Sequence, residues 1–397
     1  MPGFELFGSK ERKEVQDVLD SGVLMRYGFE GMRNGHWKAK QLETALSERM
    51  HVKYTHVVSS GTAALTVALA SAGVGAGDEV IMPTFTFVAS FESILALGAV
   101  PVLVDIDETL TLNPSAVEKA IGPKTKVVMP VHMCGSMANL AALREICNEH
   151  KLLLLEDACQ AIGGSYKGKP LGSIGDLGCF SFDYVKTITC GEGGAVITNN
   201  ETYYQNAHAY SDHGHDHIGN DRGAEQHPFL GYNFRISEMN AAVGLAQLSR
   251  LDEFLSIQKR NYTILRDALS SIQEIVFRSV PEGGEENYSF LSFFLPSEEL
   301  AQKTHKMLGE NGVDACFYWY NNNWHYYKKW EHLTHMKSLG RLPKEVREAL
   351  PDYSKADFSE SDHWMGRTIS CLIKLSWTEE EVKERAKRMV QAIKNVT

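Results

Sequence analysis

Three acids and one lysine stand at the ends of apolar runs within residues 151–200. Leu152–Leu155 leads into Glu156 and Asp157, and Leu177–Phe182 leads into Asp183, Tyr184, Val185 and Lys186. A buried strand that ends in an acid delivers that acid to a cleft. If a pyridine cofactor lies between them, a carboxylate beside the ring nitrogen keeps it protonated, so that the ring accepts electrons, and the lysine amine forms a Schiff base with the aldehyde. Asp157 and Lys186 are the candidates for those two tasks. In isolation the same pair also reads as a helix-capping aspartate and a solvated loop lysine.

The elements that must position them begin further upstream. Residues 8–20 have the spacing of a short helix with Val15, Val18 and Leu19 on one side, and residues 38–50 return to it through Leu42, Leu46 and Met50. Between them residues 21–37, rich in glycine and aromatics and carrying Arg26, Tyr27 and Arg33, read as a loop that covers something. From Thr55 strands are predicted at 55–59, 79–82, 100–104, 126–130 and 151–156, with helices between them through Leu65, Leu69 and Ala72, or Leu140, Leu143 and Cys147. This alternation predicts an α/β domain with a mainly parallel sheet covered on both faces, and a ligand at the carboxyl ends of its strands.

The first such end is Ser59–Ala64, where free amides and the helix dipole offer a phosphate seat, although serine and threonine are also ordinary N-caps. The next, Pro83–Ala89, supplies an aromatic that either stacks on a ring or belongs to the core. Gly-Glu-Gly-Gly at 191–194 reads as a tight turn behind the lysine. Residues 208–227 hold five histidines, His208, His213, His215, His217 and His227, among Asp212, Asp216 and Asp221. They suggest a metal site, but alternate spacing without a second ligand cluster favours a polar loop, and no metal is expected.

The chain divides into a large domain, residues 1–249, and a small one, 250–397. The second opens with a helix through Leu251, Phe254, Leu265 and Leu269, has a strand at 289–296, and closes with a helix at 378–394. A length of 397 residues provides ample core for two such units. The net charge of −10 argues against nucleic acid, which calls for clustered cations. No run of eighteen apolar residues and no signal-peptide core occur, so a cytoplasmic protein without membrane insertion is expected. The seven cysteines form no CxxC pair and are expected to be reduced.

In combination, EDACQAIGG, CFSF, Lys186 and GEGGAVIT resemble the sugar aminotransferases of the DegT/DnrJ/EryC1/StrS family, and the resemblance runs from about residue 8 to the end. It implies a fold type I enzyme (aspartate aminotransferase-like, with an α/β/α large domain and a smaller α+β domain) that uses pyridoxal 5'-phosphate. It also implies that Gly61, Thr62 and Ala63 hold the phosphate, with Ser181 opposite; that Phe87 stacks on the ring; and that Gln160 touches the phenolic oxygen. The segment GYNFR-x-SEMNAA resembles the one that places an asparagine, here Asn233, on the phosphate of a second subunit, which implies a homodimer with shared active sites.

The implied reaction is a transamination in two halves, with Lys186 moving the proton, glutamate as the expected donor and a sugar carbonyl as acceptor. HGHDHIGNDRG and NFRISEMNAAVG resemble a branch that forms 8-amino-3,8-dideoxy-manno-octulosonate, an amino analogue of the lipopolysaccharide sugar Kdo. Such a free acid needs cations, and Arg26, Arg33, Arg235, Lys328, Lys329 and Lys374 are the candidates. A nucleotide-linked keto sugar is the alternative substrate. A dehydratase of the same family would use histidine in place of lysine, so Lys186 argues against it and His132 or His208 would have to serve as base. A non-catalytic scaffold would have no reason to keep Asp157, Ser181 and Lys186 together. Two stretches depart from the family. FYWYNNNWHYYKKW at 317–330 is either a substrate-facing wall or a packing cluster between lobes, and ISCLIKLSW at 369–377 replaces a run rich in leucine and proline.

Overall fold

A computed structural model of the chain describes residues 2–219 and 221–396. The strand-and-helix alternation forms one seven-stranded sheet from β1 (Tyr54–Val58), β2 (Glu79–Pro83), β3 (Val100–Val104), β4 (Thr125–Val128), β5 (Leu153–Asp157), β8 (Leu177–Ser181) and β9 (Gly194–Thr198), in the order β1-β9-β8-β5-β4-β2-β3. Only β9 runs against its neighbours. A two-residue hairpin, β6 (Ser165–Tyr166) and β7 (Lys169–Pro170), lies between β5 and β8 in the chain.

Both faces of this sheet are covered, which is why a strand such as Leu153–Leu155 is apolar throughout rather than alternating. Leu155 packs in the cluster that holds Val67 and Val196, while Leu154 belongs to the one with Leu143 and Cys147. Side chains alternate across a strand, so Asp157 emerges on the side of Leu155 and Glu156 on the side of Leu154. Adjacent acids thereby reach different surroundings. The chain after Asp157 turns instead of entering a helix, so the helix-capping reading of Asp157 is corrected, and Gln160 reaches the same side from a turn.

A second sheet, β10 (Val276–Phe277), β12 (Phe290–Phe294), β13 (Cys316–Phe317) and β14 (Thr368–Leu372), is antiparallel in the order β10-β12-β14-β13. It has its own core of Leu291, Phe293 and Ile369 against Val382 and Met389 of the last helix, Glu379–Lys394. Much of ISCLIKLSW is thus the central strand β14. The helix Leu251–Leu269 spans both units, with Leu251 and Phe254 in one core and Leu265 and Leu269 in the other. The short β11 (Gly284–Glu285) pairs with β6 and ties the units again. Among the described residues no helix is long and apolar enough to cross a membrane.

The aromatic segment 317–330 forms a packing cluster between the lobes. Trp319, Tyr326, Tyr327 and Trp330 pack in the core shared with the large sheet. Its backbone is bonded to the loop after β2, since the amides of Thr86 and Val88 donate to the carbonyls of His325 and Trp324 at 2.9 Å each. That loop carries Phe87, so the wall is fixed beside the strand ends.

Candidate active site

The carboxyl ends of β1, β2, β4, β5 and β8 open on one pocket of about 240 Å³, lined by Gly61, Thr62, Phe87, Asp157, Gln160, Ser181 and Lys186 together with Ser90, Cys159 and His325. Seven of the nine expected site residues therefore meet, although they come from segments more than a hundred residues apart.

Asp157 is 4% exposed and held at both oxygens. The Cys159 amide donates to Oδ1 at 3.2 Å and the Ser90 hydroxyl to Oδ2 at 2.8 Å. Ser90 spends its only proton there, so Thr86, 2.6 Å away, is the donor to Ser90. The sequence reading missed both hydroxyls, because a turn with several serines and threonines gives no sign of which one faces an acid. Glu156 is fully buried on the opposite face, where it accepts from His132 Nε2 at 2.9 Å and from the amides of Gly172 and Ile174. Burial raises its pKa, but His132 and these amides outweigh burial and hold it below the usual value. It is structural.

At the phosphate seat Ser60 Oγ accepts from the Ala63 amide at 3.0 Å, so that amide is taken and Ala63 stays outside the pocket. Of the three residues expected there, Gly61 and Thr62 remain. A Cβ on Gly61 would lie 2.7 Å from Ser181 Cβ, so glycine is what lets the helix start and Ser181 face each other across the seat. Gln160 Oε1 accepts from the Cys134 amide at 3.0 Å, which leaves its NH2 as the donor available to the pocket. Phe87 lies parallel to Trp324, with ring centroids 5.7 Å apart. Lys186 is half-buried, and among the described residues its Nζ has no hydrogen-bond or ion-pair partner. Lys186 and the neutral imidazole of His325 are the basic groups of the lining, and Asp183 and Glu192 are acids at the same opening. Burial and then the Asp183 charge push the Glu192 carboxyl up. Burial and the charge of Asp157 keep Cys159 a thiol.

Asn233 does not enter this pocket. It is exposed, and its Oδ1 accepts from the Arg235 amide. Most of the cations expected for a substrate carboxylate are also elsewhere, paired as Arg26 with Glu43, Arg33 with Glu238, Arg235 with Asp212, Lys328 with Asp362 and Lys374 with Asp314. Only Lys329 has no acidic partner among the described residues. His132 is fully buried; it donates from Nε2 to Glu156 and accepts at Nδ1 from the Ala138 amide, so it has no free nitrogen for a base. His208 is stacked on His217 at 3.9 Å, and burial, then neighbouring charge, depress its pKa. Neither lines the pocket, which removes the bases that the dehydratase reading called for. Among the described residues no group of three or more His, Cys, Asp or Glu side chains is arranged to hold a metal ion.

The pocket suits a phosphorylated pyridine aldehyde by its own chemistry: helix-start amides at Gly61 and Thr62, an amine without a partner, and a buried carboxylate fixed by donors. Gly61→Ala is expected to raise the dissociation constant of pyridoxal phosphate by about tenfold or more, since overpacking costs about 1–3 kcal/mol. Titration followed by cofactor absorbance checks this, and an unchanged affinity would place the phosphate elsewhere.

A doubly covered, mainly parallel sheet with this pocket at its strand ends defines the class: the protein is a pyridoxal-phosphate-dependent aminotransferase of fold type I. More narrowly, residues 6–389 match the model of the DegT/DnrJ/EryC1/StrS aminotransferase family, and the chain belongs to that family. It is 36% identical to a GDP-perosamine synthase of Vibrio cholerae over 294 residues, 74% of this chain and 75% of that protein. It is also 36% identical to a 3-amino-5-hydroxybenzoate synthase of Amycolatopsis mediterranei over 285 residues, 72% of this chain and 70% of that one. The crystal structure of an aminotransferase from Psychrobacter cryohalolentis superimposes with a TM-score of 0.84 at 27% identity, covering 98% of each chain.

Proposed function

We propose that the protein aminates a sugar carbonyl with L-glutamate as donor, and that its product is 8-amino-3,8-dideoxy-manno-octulosonate. When bound, pyridoxal phosphate supplies an aldehyde for an amine and a ring that takes up the electrons of a carbanion. The remaining tasks fall to this chain. Lys186 would hold the aldehyde through its amine, and the same amine, once free, would serve as the proton carrier. Asp157 would keep the ring nitrogen charged, Gln160 would donate to the phenolic oxygen, Phe87 would cover the ring, and Gly61, Thr62 and Ser181 would hold the phosphate.

The choice of sugar is carried by HGHDHIGNDRG and NFRISEMNAAVG, which resemble the octulosonate-aminating branch. The pocket of about 240 Å³ is lined by the residues that would hold the cofactor, together with His325. The alternative, a nucleotide-linked keto sugar, is favoured by the name of the Vibrio cholerae relative.

Phosphate, the glutamate carboxylates and a sugar acid together require more positive charge than Lys186 supplies. That shortage supports a homodimer in which Asn233 serves the partner's site. An exposed apolar surface made by Leu24, Phe29, Met32, Ile218, Leu230 and Tyr232 supports it as well. The Tyr27 ring lies 4.7 Å from that of His217, which joins the loop 21–37 to the loop carrying Ile218 and Leu230. The second sheet, whose one face has its own core of Leu291, Phe293 and Ile369, supports the division into 1–249 and 250–397.

The test is incubation with glutamate and either the 8-aldehyde of 3-deoxy-manno-octulosonate or nucleotide-linked 4-keto sugars. An amine at carbon 8, identified by mass and NMR, is the expected product. Amination of the nucleotide sugars alone would overturn the choice of substrate.

A further inference from the structure

His325 comes from the stretch that departs from the family, and its ring stands at the pocket in a defined protonation state. Asn322 Oδ1 accepts from the Trp324 amide at 2.9 Å, which identifies that atom as the amide oxygen. The same oxygen is 2.9 Å from His325 Nδ1, so Nδ1 carries the proton and donates. Burial first, and then the charge of Lys186, push the imidazole pKa down to about 3. The ring is therefore neutral at working pH, and Nε2 bears a lone pair. Trp319, with its centroid at 4.6 Å, and Phe87, at 5.5 Å, flank the ring with apolar surface. Among the described residues Nε2 has no hydrogen-bond partner, and it is not one of the buried polar atoms sealed off without one, so it opens on the pocket.

His325 and Lys186 line the same pocket, into which the carbonyl carbon must come to meet the amine. An acceptor there faces the substituent on the neighbouring carbon, which in a sugar is a hydroxyl. We infer that His325 Nε2 accepts a hydrogen bond from the substrate hydroxyl next to the carbonyl being aminated, and that His325 thereby selects polyhydroxylated carbonyl compounds over deoxy or plain aliphatic ones. This inference rests on the sugar-amination reading above. The main-chain bonds from Thr86 and Val88 to residues 325 and 324 hold the acceptor at a fixed height above the strand ends.

The experiment compares holoenzyme with His325→Phe and His325→Gln by stopped-flow absorbance of each half-reaction. For His325→Phe, kcat/KM in the sugar half-reaction is expected to fall at least about tenfold more than in the glutamate half-reaction, mainly through KM. His325→Gln, whose amide oxygen accepts, should recover part of that loss. An analogue without the hydroxyl should be used equally by the native enzyme and the Phe variant. Nitrogen-15 NMR at pH 7 should report His325 protonated at Nδ1 alone. A doubly protonated ring, equal losses in both half-reactions, or an unchanged sugar KM would overturn the inference while leaving the functional reading intact. No amination of any sugar by the native enzyme would overturn both.

Discussion

Replacing Lys186 by alanine is expected to give a folded protein that takes up pyridoxal phosphate without a covalent bond and turns over about 10^4-fold more slowly, or not at all. The backbone reasons for folding survive the change. The Lys186 amide still donates to the Asp183 carbonyl, and its carbonyl still accepts from the Gly3 amide, each at 3.0 Å. The lost side chain leaves no buried partner unsatisfied, because among the described residues its amine has none. The phosphate seat at Gly61, Thr62 and Ser181 is untouched, so the cofactor still binds. What disappears is the amine that attacks the aldehyde and later carries the proton. Borohydride should fix the cofactor on the native chain and not on the variant, and dialysis should strip colour from the variant faster. Turnover within a hundredfold of native would assign the chemistry to another residue.

Asp157→Asn has the next largest expected effect, a loss of about 10²–10³-fold in kcat with the fold retained, the range seen when one preorganised electrostatic group is removed. The amide oxygen can take the Cys159 amide, and Ser90, which now donates to Oδ2, can rotate its hydroxyl to accept from the new NH2. The local bonds are therefore kept and the charge alone is lost. A ring nitrogen without a carboxylate gives up its proton, and its capacity to hold electrons goes with it. Asp157→Glu keeps the charge but shifts it by one methylene into a pocket without spare volume, so it should lie between native and Asn. A kcat for the Asn variant within tenfold of native would separate Asp157 from the cofactor nitrogen.

These effects belong to residues that short stretches of sequence single out. Asp157 and Lys186 each end an apolar run, and Gly61 follows a strand and opens a helix. The groups that support them leave no such mark. Ser90 is one hydroxyl among Thr84, Thr86 and Ser90 on a single turn. Only the packing of that turn against β5 decides that it meets Asp157. The loss of the Ala63 amide to Ser60 was legible, since a serine three residues before an amide is the usual N-cap. The pairing of Arg26, Arg33 and Arg235 with acids was not, because those acids lie 17, 205 and 23 positions away in a chain with 50 acidic residues.

By itself the sequence determined the class of sheet and the strand ends at which Asp157 and Lys186 stand. Those properties follow from hydrophobic period and from backbone rules that act over a few residues. The tertiary structure decided which face of β5 each of its two acids occupies, which hydroxyls hold Asp157, and that His325 joins Phe87 in the lining of the site. Those depend on how elements pack across more than a hundred residues, where many partners of equal chemistry compete and only the folded geometry selects among them.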